Sequence, residues 1–151
     1  MRHDPGATAG VPAHVTLLFP FLPSEDLTPV VRNRLARIAA TGRPFDVRFE
    51  RTGRFPGVLW LAPEPPAPFV ELTERIAAAF PDHPPYEGAH ADIIPHLSVA
   101  LAQEAALDRL EGKVAAWAGF SDRVRGFEVL AESGTGRWHP RWRIPLGRLR
   151  R

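Results

Sequence analysis

Two short segments of this 151-residue chain carry a histidine two positions before a hydroxyl residue. The first motif is His14-Val15-Thr16-Leu17, and the second motif is His96-Leu97-Ser98-Val99. In both, apolar residues occupy the second and fourth positions. The chain has only six histidines, so two such matches are not expected by chance, although motif counts carry false positives.

The spacing within each motif indicates that the polar side chains share one face of a strand. Residues i and i+2 of a strand point to the same side, whereas the residue between them points to the other. His14 would therefore project with Thr16, and His96 with Ser98. If a pseudo-twofold axis relates the two strands, two imidazoles and two hydroxyls face each other across a cleft.

Such a set of groups suits an anionic tetrahedral substrate such as a phosphate ester. The hydroxyls can donate hydrogen bonds to non-bridging oxygens. One imidazole can remove a proton from the attacking oxygen while the other protonates the leaving oxygen. Histidines titrate near neutral pH, so the two could exchange roles in the reverse reaction. We therefore expect an enzyme that needs neither a metal nor another cofactor.

Two other interpretations of the histidines remain open. Each imidazole could be a structural group, hydrogen-bonded near a strand end. Alternatively, His83, His90 and His96 could bind a metal together with Glu87 or Asp92, although their spacings fit no standard metal motif. The sequence has no Gly-rich phosphate loop, no HExxH and no Gly-x-Ser-x-Gly elbow.

The elements that must position these motifs follow from the hydrophobic pattern. It predicts strands at 14–21, 45–50, 58–61, 96–101, 124–130 and 138–146, and helices at about 28–41, 66–80 and 104–118. A β-α-β-β unit thus occurs twice, with the helix at 66–80 linking the copies. We expect an α+β fold with mainly antiparallel sheets and helices packed outside.

The composition is that of an ordinary globular protein, with 44% hydrophobic and 24% charged residues. The absence of cysteine excludes disulfide scaffolds, zinc ribbons and cysteine nucleophiles. No apolar run approaches the roughly 20 residues of a membrane helix, and the N-terminus lacks the core of a signal peptide. We expect a cytoplasmic protein with no membrane partner. Richness in Arg, Ala, Pro and Gly suggests a bacterial source.

The chain resembles the 2H phosphoesterase superfamily, and within it the bacterial 2′-5′ RNA ligase-like group. The resemblance rests on the two motifs, about eighty residues apart, and on the segments HVTLLFPF, GRFPGVLWLAPEP and PPYEG…IIPHLSVAL. It covers roughly residues 10–146. It implies a single bilobal domain over 1–151, with lobes at about 10–65 and 96–146 flanking a central cleft.

The resemblance also implies a function. The expected chemistry is metal-independent cleavage of 2′,3′-cyclic phosphates or 2′-5′ phosphodiester bonds, at RNA ends or in nucleotide-derived metabolites. His14 and His96 would form the acid/base pair, and Thr16 and Ser98 would bind the phosphate. The alternatives are RNA 2′-5′ ligation, which is the reverse reaction, and a non-catalytic nucleotide- or RNA-binding module.

The chain departs from the group at its start. Members usually have a strand before the first motif, ahead of a stretch like His3-Asp4-Pro5, and this chain begins almost at that stretch. We expect either a shortened start or a lost edge strand, whose unpaired neighbour would invite dimerisation. The prediction is therefore a monomer or weak dimer with no stable protein partner.

Four residues outside the motifs are weaker candidates for substrate contact. Tyr86, just before the second motif, could stack on a base or touch the phosphate. Arg54, Arg137 and Arg143 could bind phosphate or ribose, although the cluster of arginines near the C-terminus could also be a solvated edge.

Overall fold

The computed structural model describes residues 11–117 and 119–147. The His3-Asp4-Pro5 stretch lies outside the described residues. The helices are α1 (Pro29–Ala40), α2 (Ala67–Ala79) and α3 (Glu104–Ala115), and the strands are β1 (Phe45–Phe55), β2 (Val58–Glu64), β3 (Leu97–Leu101), β4 (Phe120–Val124), β5 (Gly126–Glu132) and β6 (Trp138–Pro145). The predicted α+β class is confirmed. Within these ranges, none of the helices combines the length and apolar character needed to cross a bilayer.

The strands form two antiparallel sheets. One sheet has the order β3-β2-β1-β4, and β5 and β6 form a separate hairpin. The first sheet takes β1 and β2 from before α2, and β3 and β4 from after it. It therefore joins strands of both β-α-β-β units.

The strand predicted at 124–130 is present as β5 (Gly126–Glu132), but a separate strand, β4, which the sequence pattern did not predict, ends at Val124, so the chain passes from one sheet to the other at residue 125. β4 ends at Val124 and pairs with β1, whereas β5 begins at Gly126 and pairs with β6. A Cβ at Gly126 would lie 2.5 Å from the Ile144 carbonyl oxygen. The glycine lets the two backbones approach closely where the hairpin begins, which periodicity alone does not reveal.

The helices form where the sequence predicts them. Thr28 caps α1, its hydroxyl accepting a hydrogen bond from the Val31 amide, and Pro29 occupies the first helical position, where it costs no hydrogen bond. α1 buries Leu35 and Ala39, and α2 buries an apolar stripe that includes Leu72. The two helices share one apolar cluster with β5 and β6.

The strand predicted at 14–21 is wrong. In this segment a single antiparallel bridge joins Val15 to Leu97. Further along, carbonyls take donors from outside any sheet: the Thr73 hydroxyl donates to the Leu17 carbonyl at 2.7 Å, and the Tyr86 amide donates to the Phe19 carbonyl at 2.6 Å. The segment is thus held by hydrogen bonds from α2 and from the loop at 84–95, and not by the backbone hydrogen bonds of a β-sheet.

The helices cover one face of the four-stranded sheet. Leu61 and Leu97 pack with Phe69 of α2, and Leu59 packs with Leu107 of α3. In β2, these buried residues alternate with partly exposed ones. The opposite face of β2 and β3 is therefore left free of helices to carry polar groups.

Candidate active site

The bridge between Val15 and Leu97 brings the two motifs together. Both side chains pack into the same apolar cluster. Extended by one residue on either side, this antiparallel register would place position 14 opposite 98 and position 16 opposite 96. Diagonal neighbours in such a pair lie about 7–8 Å apart. Imidazoles attached to backbone positions at that spacing can contact opposite sides of one phosphate group.

The two imidazole rings make the same local hydrogen bond. His14 Nδ1 lies 2.7 Å from the Pro12 carbonyl oxygen, and His96 Nδ1 lies 2.8 Å from the Ile94 carbonyl oxygen. A carbonyl only accepts, so Nδ1 carries the hydrogen in both rings and Nε2 is left for substrate. In each motif the acceptor is two residues before the histidine. Sequence reasoning missed this bond, because the spacing within a motif does not show which backbone carbonyl the imidazole meets.

His96 is also packed against two aromatic rings. The Phe55 ring meets it edge-on with centroids 5.0 Å apart, and the Trp60 indole lies 6.0 Å away. We call Phe55 and Trp60 the aromatic wedge. Gly53 lies opposite Trp60 in the sheet, and a Cβ there would come within 2.3 Å of the indole. This glycine makes room for the wedge.

Ser98 belongs to the same face as the wedge, because it is the cross-strand partner of Trp60. The Trp60 Nε1 atom is buried and has no hydrogen-bond partner within the described residues. The half-buried ring of His96 is thus surrounded by sheet residues, whereas the ring of His14 is exposed.

Two cavities adjoin Thr16. The smaller, which we call the α2 cavity, measures about 310 Å³ and lies between α2 and the loop at 84–95. The larger, about 1050 Å³, lies between residues 11–25 and β5, and His14 also lines it. Neither is lined by His96 or Ser98, which lie on the face of the sheet that carries Trp60.

Tyr86 is brought to the α2 cavity. It and Glu87 adopt left-handed backbone conformations, with φ of 51° and 56°, which non-glycine residues seldom adopt. The Tyr86 amide is fixed by its bond to the Phe19 carbonyl, and its ring packs edge-on against His90, with centroids 5.5 Å apart. Burial raises the pKa of the Tyr86 hydroxyl, which keeps it a neutral hydrogen-bond donor.

Arg54 lies on the other face of the sheet from His96. A bulge in β1 after Phe49 shifts the alternation, so Phe55 points to His96 and Arg54 points to α3. The guanidinium binds three carboxylates of that helix. They are Glu104 at 2.5 Å, Glu111 at 2.8 Å and Asp108 at 3.0 Å.

These ion pairs change the pKa values at both ends. The hydrogen bond to Glu104 is the largest cause of the raised pKa of Arg54. The pKa of Glu104 is lowered first by the Gly57 amide, which donates to it at 2.7 Å, and then by Arg54. In this structure Arg54 braces β1 against α3.

The other two candidate arginines lie on the β5–β6 hairpin. Arg143 Nε forms an ion pair at 2.8 Å with Glu128, its cross-strand partner. Arg137 is exposed in the turn, where its carbonyl accepts from the Ser133 amide. Neither arginine lines the two cavities.

The histidines of the alternative metal site do not come together. His83 packs against Phe21, His90 packs against Tyr86, and His96 packs against the wedge. In the ranges 11–117 and 119–147, no group of three or more metal-ligating side chains is arranged to hold an ion.

A sequence profile of the 2′-5′ RNA ligase superfamily matches residues 1–136, which confirms the resemblance found in the two motifs. No curated protein matches the chain.

Several solved structures share the fold. TT0787 of Thermus thermophilus has 24% sequence identity and a TM-score of 0.63, with 90% of this chain and 80% of that chain covered. E. coli LigT complexed with 3′-AMP has 19% identity and a TM-score of 0.61, covering 90% and 78%. E. coli LigT complexed with NADP+ has 20% identity and a TM-score of 0.56, covering 90% and 77%. At these identities the likeness shows the fold alone.

Proposed function

Since the chain belongs to the 2′-5′ RNA ligase superfamily, we propose that it is a metal-independent phosphoesterase. Its proposed substrates are 2′,3′-cyclic phosphates or 2′-5′ phosphodiester bonds of RNA ends or nucleotide-derived metabolites. LigT, which shares its fold, has been crystallised with 3′-AMP and with NADP+. We also propose that the protein acts in the cytoplasm, where such substrates occur.

The observation that carries the proposal is the matched hydrogen bonding of the two imidazoles. His14 and His96 each donate Nδ1–H to a backbone carbonyl two residues earlier. Both rings are thereby oriented with Nε2 free, one on each side of the Val15–Leu97 bridge. A purely structural histidine needs only one such bond, but two histidines set in the same way next to one bridge suit two proton transfers to one substrate.

The proposed hydrolysis uses both Nε2 atoms. His96, neutral, accepts a proton from water as the water oxygen bonds to phosphorus. His14, protonated, donates its proton to the ribose oxygen as the bond from that oxygen to phosphorus breaks. His96 ends the step protonated and His14 neutral, and exchange with solvent restores the starting states. Thr16 and Ser98 donate hydrogen bonds to the non-bridging oxygens, where negative charge is concentrated.

The reverse reaction uses the same residues, with a ribose hydroxyl in place of water. Ligation therefore remains the alternative activity, and binding without turnover is the remaining non-enzymatic function. These alternatives predict different products from one set of substrates.

The test is a panel of 2′,3′-cyclic mononucleotides, cyclic-phosphate-ended RNA and 2′-5′-linked dinucleotides, assayed with EDTA present. We expect turnover that chelation leaves unchanged and that either His14→Ala or His96→Ala removes. His139→Ala is the matched control, because His139 is exposed on β6. Loss of activity in EDTA with rescue by zinc would contradict the mechanism. Nucleotide binding without turnover would contradict the enzymatic function and support the alternative of a non-catalytic binding module.

A further inference from the structure

The α2 cavity is lined by acidic and aromatic side chains. Its walls include Glu74 of α2 and Asp92 of the following loop, together with Tyr86 and His90. No arginine or lysine lines it among the described residues. Within the same ranges, neither carboxylate has an ion-pair partner. Two free carboxylates repel phosphate, so the cavity suits an uncharged group that donates hydrogen bonds.

The size and place of the cavity suit one particular part of a nucleotide. A volume of about 310 Å³ is at the lower end of the range for small-molecule pockets, so it holds one ring system. Thr16, proposed above to bind phosphate, also lines this cavity, and Ile94 and Pro95 lead from it to His96. A nucleotide joins its base to its phosphate through a single ribose. A phosphate beside Thr16 therefore places the base within reach of the cavity.

The aromatic side chains supply a surface for that base. Tyr86 is 39% exposed and packs edge-on against His90, which leaves ring surface available for stacking. Stacking on aromatic side chains tolerates every base. Discrimination between bases would then come from the polar wall that Glu74 and Asp92 provide.

We propose that the α2 cavity is a nucleobase pocket whose carboxylates select bases with an exocyclic amino group, and guanine most strongly. The inference rests on the proposed function, which supplies the nucleotide. Guanine, adenine and cytosine each carry an amino donor that a carboxylate can accept, whereas uracil presents carbonyl acceptors there. Guanine offers a ring N–H beside its amino group, so one carboxylate can accept two parallel hydrogen bonds from it.

The experiment compares kcat/KM for the four 2′,3′-cyclic mononucleotides in wild type, Glu74→Gln, Asp92→Asn and the double variant. Glu71→Gln is the matched control, because Glu71 is an exposed residue of the same helix and does not line the cavity. We expect wild type to prefer the guanine substrate over the uracil substrate by about tenfold or more, as one charge-assisted hydrogen bond allows. The double variant should lose that preference, and Glu71→Gln should keep it.

Calorimetric binding of 3′-GMP and 3′-UMP separates this inference from the proposed function. If no cyclic nucleotide is turned over, yet 3′-GMP binds more tightly than 3′-UMP and the double variant abolishes the difference, the pocket stands and the enzymatic function fails. If turnover occurs with equal kcat/KM for all four bases, the function stands and the pocket is overturned. A preference that survives in the double variant, or no binding of either nucleotide, also overturns the pocket.

Discussion

The first and second motifs present the same pair of side chains on very different supports. His96 precedes β3 at the edge of a four-stranded sheet, and the aromatic wedge of Phe55 and Trp60 packs against its ring. His14 is exposed, on a segment tied to that sheet by the single Val15–Leu97 bridge. Both rings nevertheless make the same hydrogen bond to the carbonyl two residues earlier.

The difference separates two requirements of an acid/base pair. Ring orientation is fixed locally, by a backbone carbonyl that any extended residue before the histidine can offer. Placement of the ring depends on distant parts of the chain: sheet and α3 for the second motif, and α2 with the loop at 84–95 for the first. Substitutions in the two supports should therefore have separable effects, and these can be ranked.

The largest effect should come from the histidines themselves. His14→Ala and His96→Ala should each lower kcat by about 10² to 10⁴, the usual contribution of one general acid or base. The double variant should cost far less than the product of the two, because the groups act as a unit. The measurement is steady-state kinetics on a cyclic mononucleotide.

Although the two histidines have different supports, we expect kcat to fall in both single variants. A kcat that is unchanged in either single variant would show that the corresponding imidazole takes no part in the reaction. Full multiplicativity in the double variant would show that the two act independently.

The next effect should follow from removing the space that Gly53 provides. In Gly53→Ala the new Cβ would meet the Trp60 indole at 2.3 Å, so the indole must shift from its present position beside His96. We expect a loss of about 1–3 kcal/mol in the free energy of unfolding, as for other overpacked sites, and a lower kcat. Gly112→Ala is the control, since nothing lies within 4 Å of a Cβ there. A normal kcat in folded Gly53→Ala would show that the aromatic wedge does not position His96.

The corresponding test for the first motif is Thr73→Val. Thr73 is 2% exposed, and its hydroxyl donates to the Leu17 carbonyl. Valine keeps the shape but leaves that carbonyl without its donor, which should cost about 1–3 kcal/mol. Hydrogen exchange should rise in residues 14–19 while β3 stays protected, and Thr73→Ser should restore protection. Equal loss of protection in β3 would show that the two supports are not separate.

The smallest effect should come from the ion pairs that join Arg54 of β1 to α3, behind the second motif. The pKa of Glu104 lies below its ordinary value of 4.5, so its ionised form stabilises the folded state. That contribution is present above about pH 4.5 and is lost as the pH falls through the lower, folded-state pKa. The Tm difference between wild type and Glu104→Gln should therefore shrink on acidification, whereas Glu71→Gln should show no such trend. A Tm difference that stays constant as the pH falls until the protein unfolds would show that Glu104 does not stabilise the fold in its ionised form.

Several parts of this architecture could be predicted from residue patterns, and others could not. The helix at 28–41 follows from its cap and its apolar stripe, and the structure has it at Pro29–Ala40. The strand at 14–21 fails because an apolar run does not reveal whether a partner strand is present. The change of sheet at Gly126 depends on a close backbone approach, which periodicity does not encode.

The candidate site also has features that the sequence predicts and features that it does not reveal. Spacing predicts that His14 shares a face with Thr16, and His96 with Ser98, because a strand alternates; the first pair lies outside the strands, so the premise does not hold for it. Arg54 was a candidate for phosphate or ribose contact on its charge alone, and the sequence does not reveal the bulge in β1 that turns its side chain towards α3. The aromatic wedge joins Phe55 to Trp60 across a hairpin, so it could be recognised only once the register was known. The domain limits and the monomeric or weakly dimeric state stay predictions.

The central claim is that both imidazoles act on one phosphate group through Nε2. Nitrogen NMR of ¹⁵N-histidine-labelled protein, titrated with 3′-GMP and assigned with the single histidine variants, tests it most directly. Nε2 of His14 and of His96 should shift together with one dissociation constant, while both Nδ1–H signals persist and exposed His139 does not respond. A shift at only one of the two motif histidines, or different dissociation constants for the two, would contradict the claim.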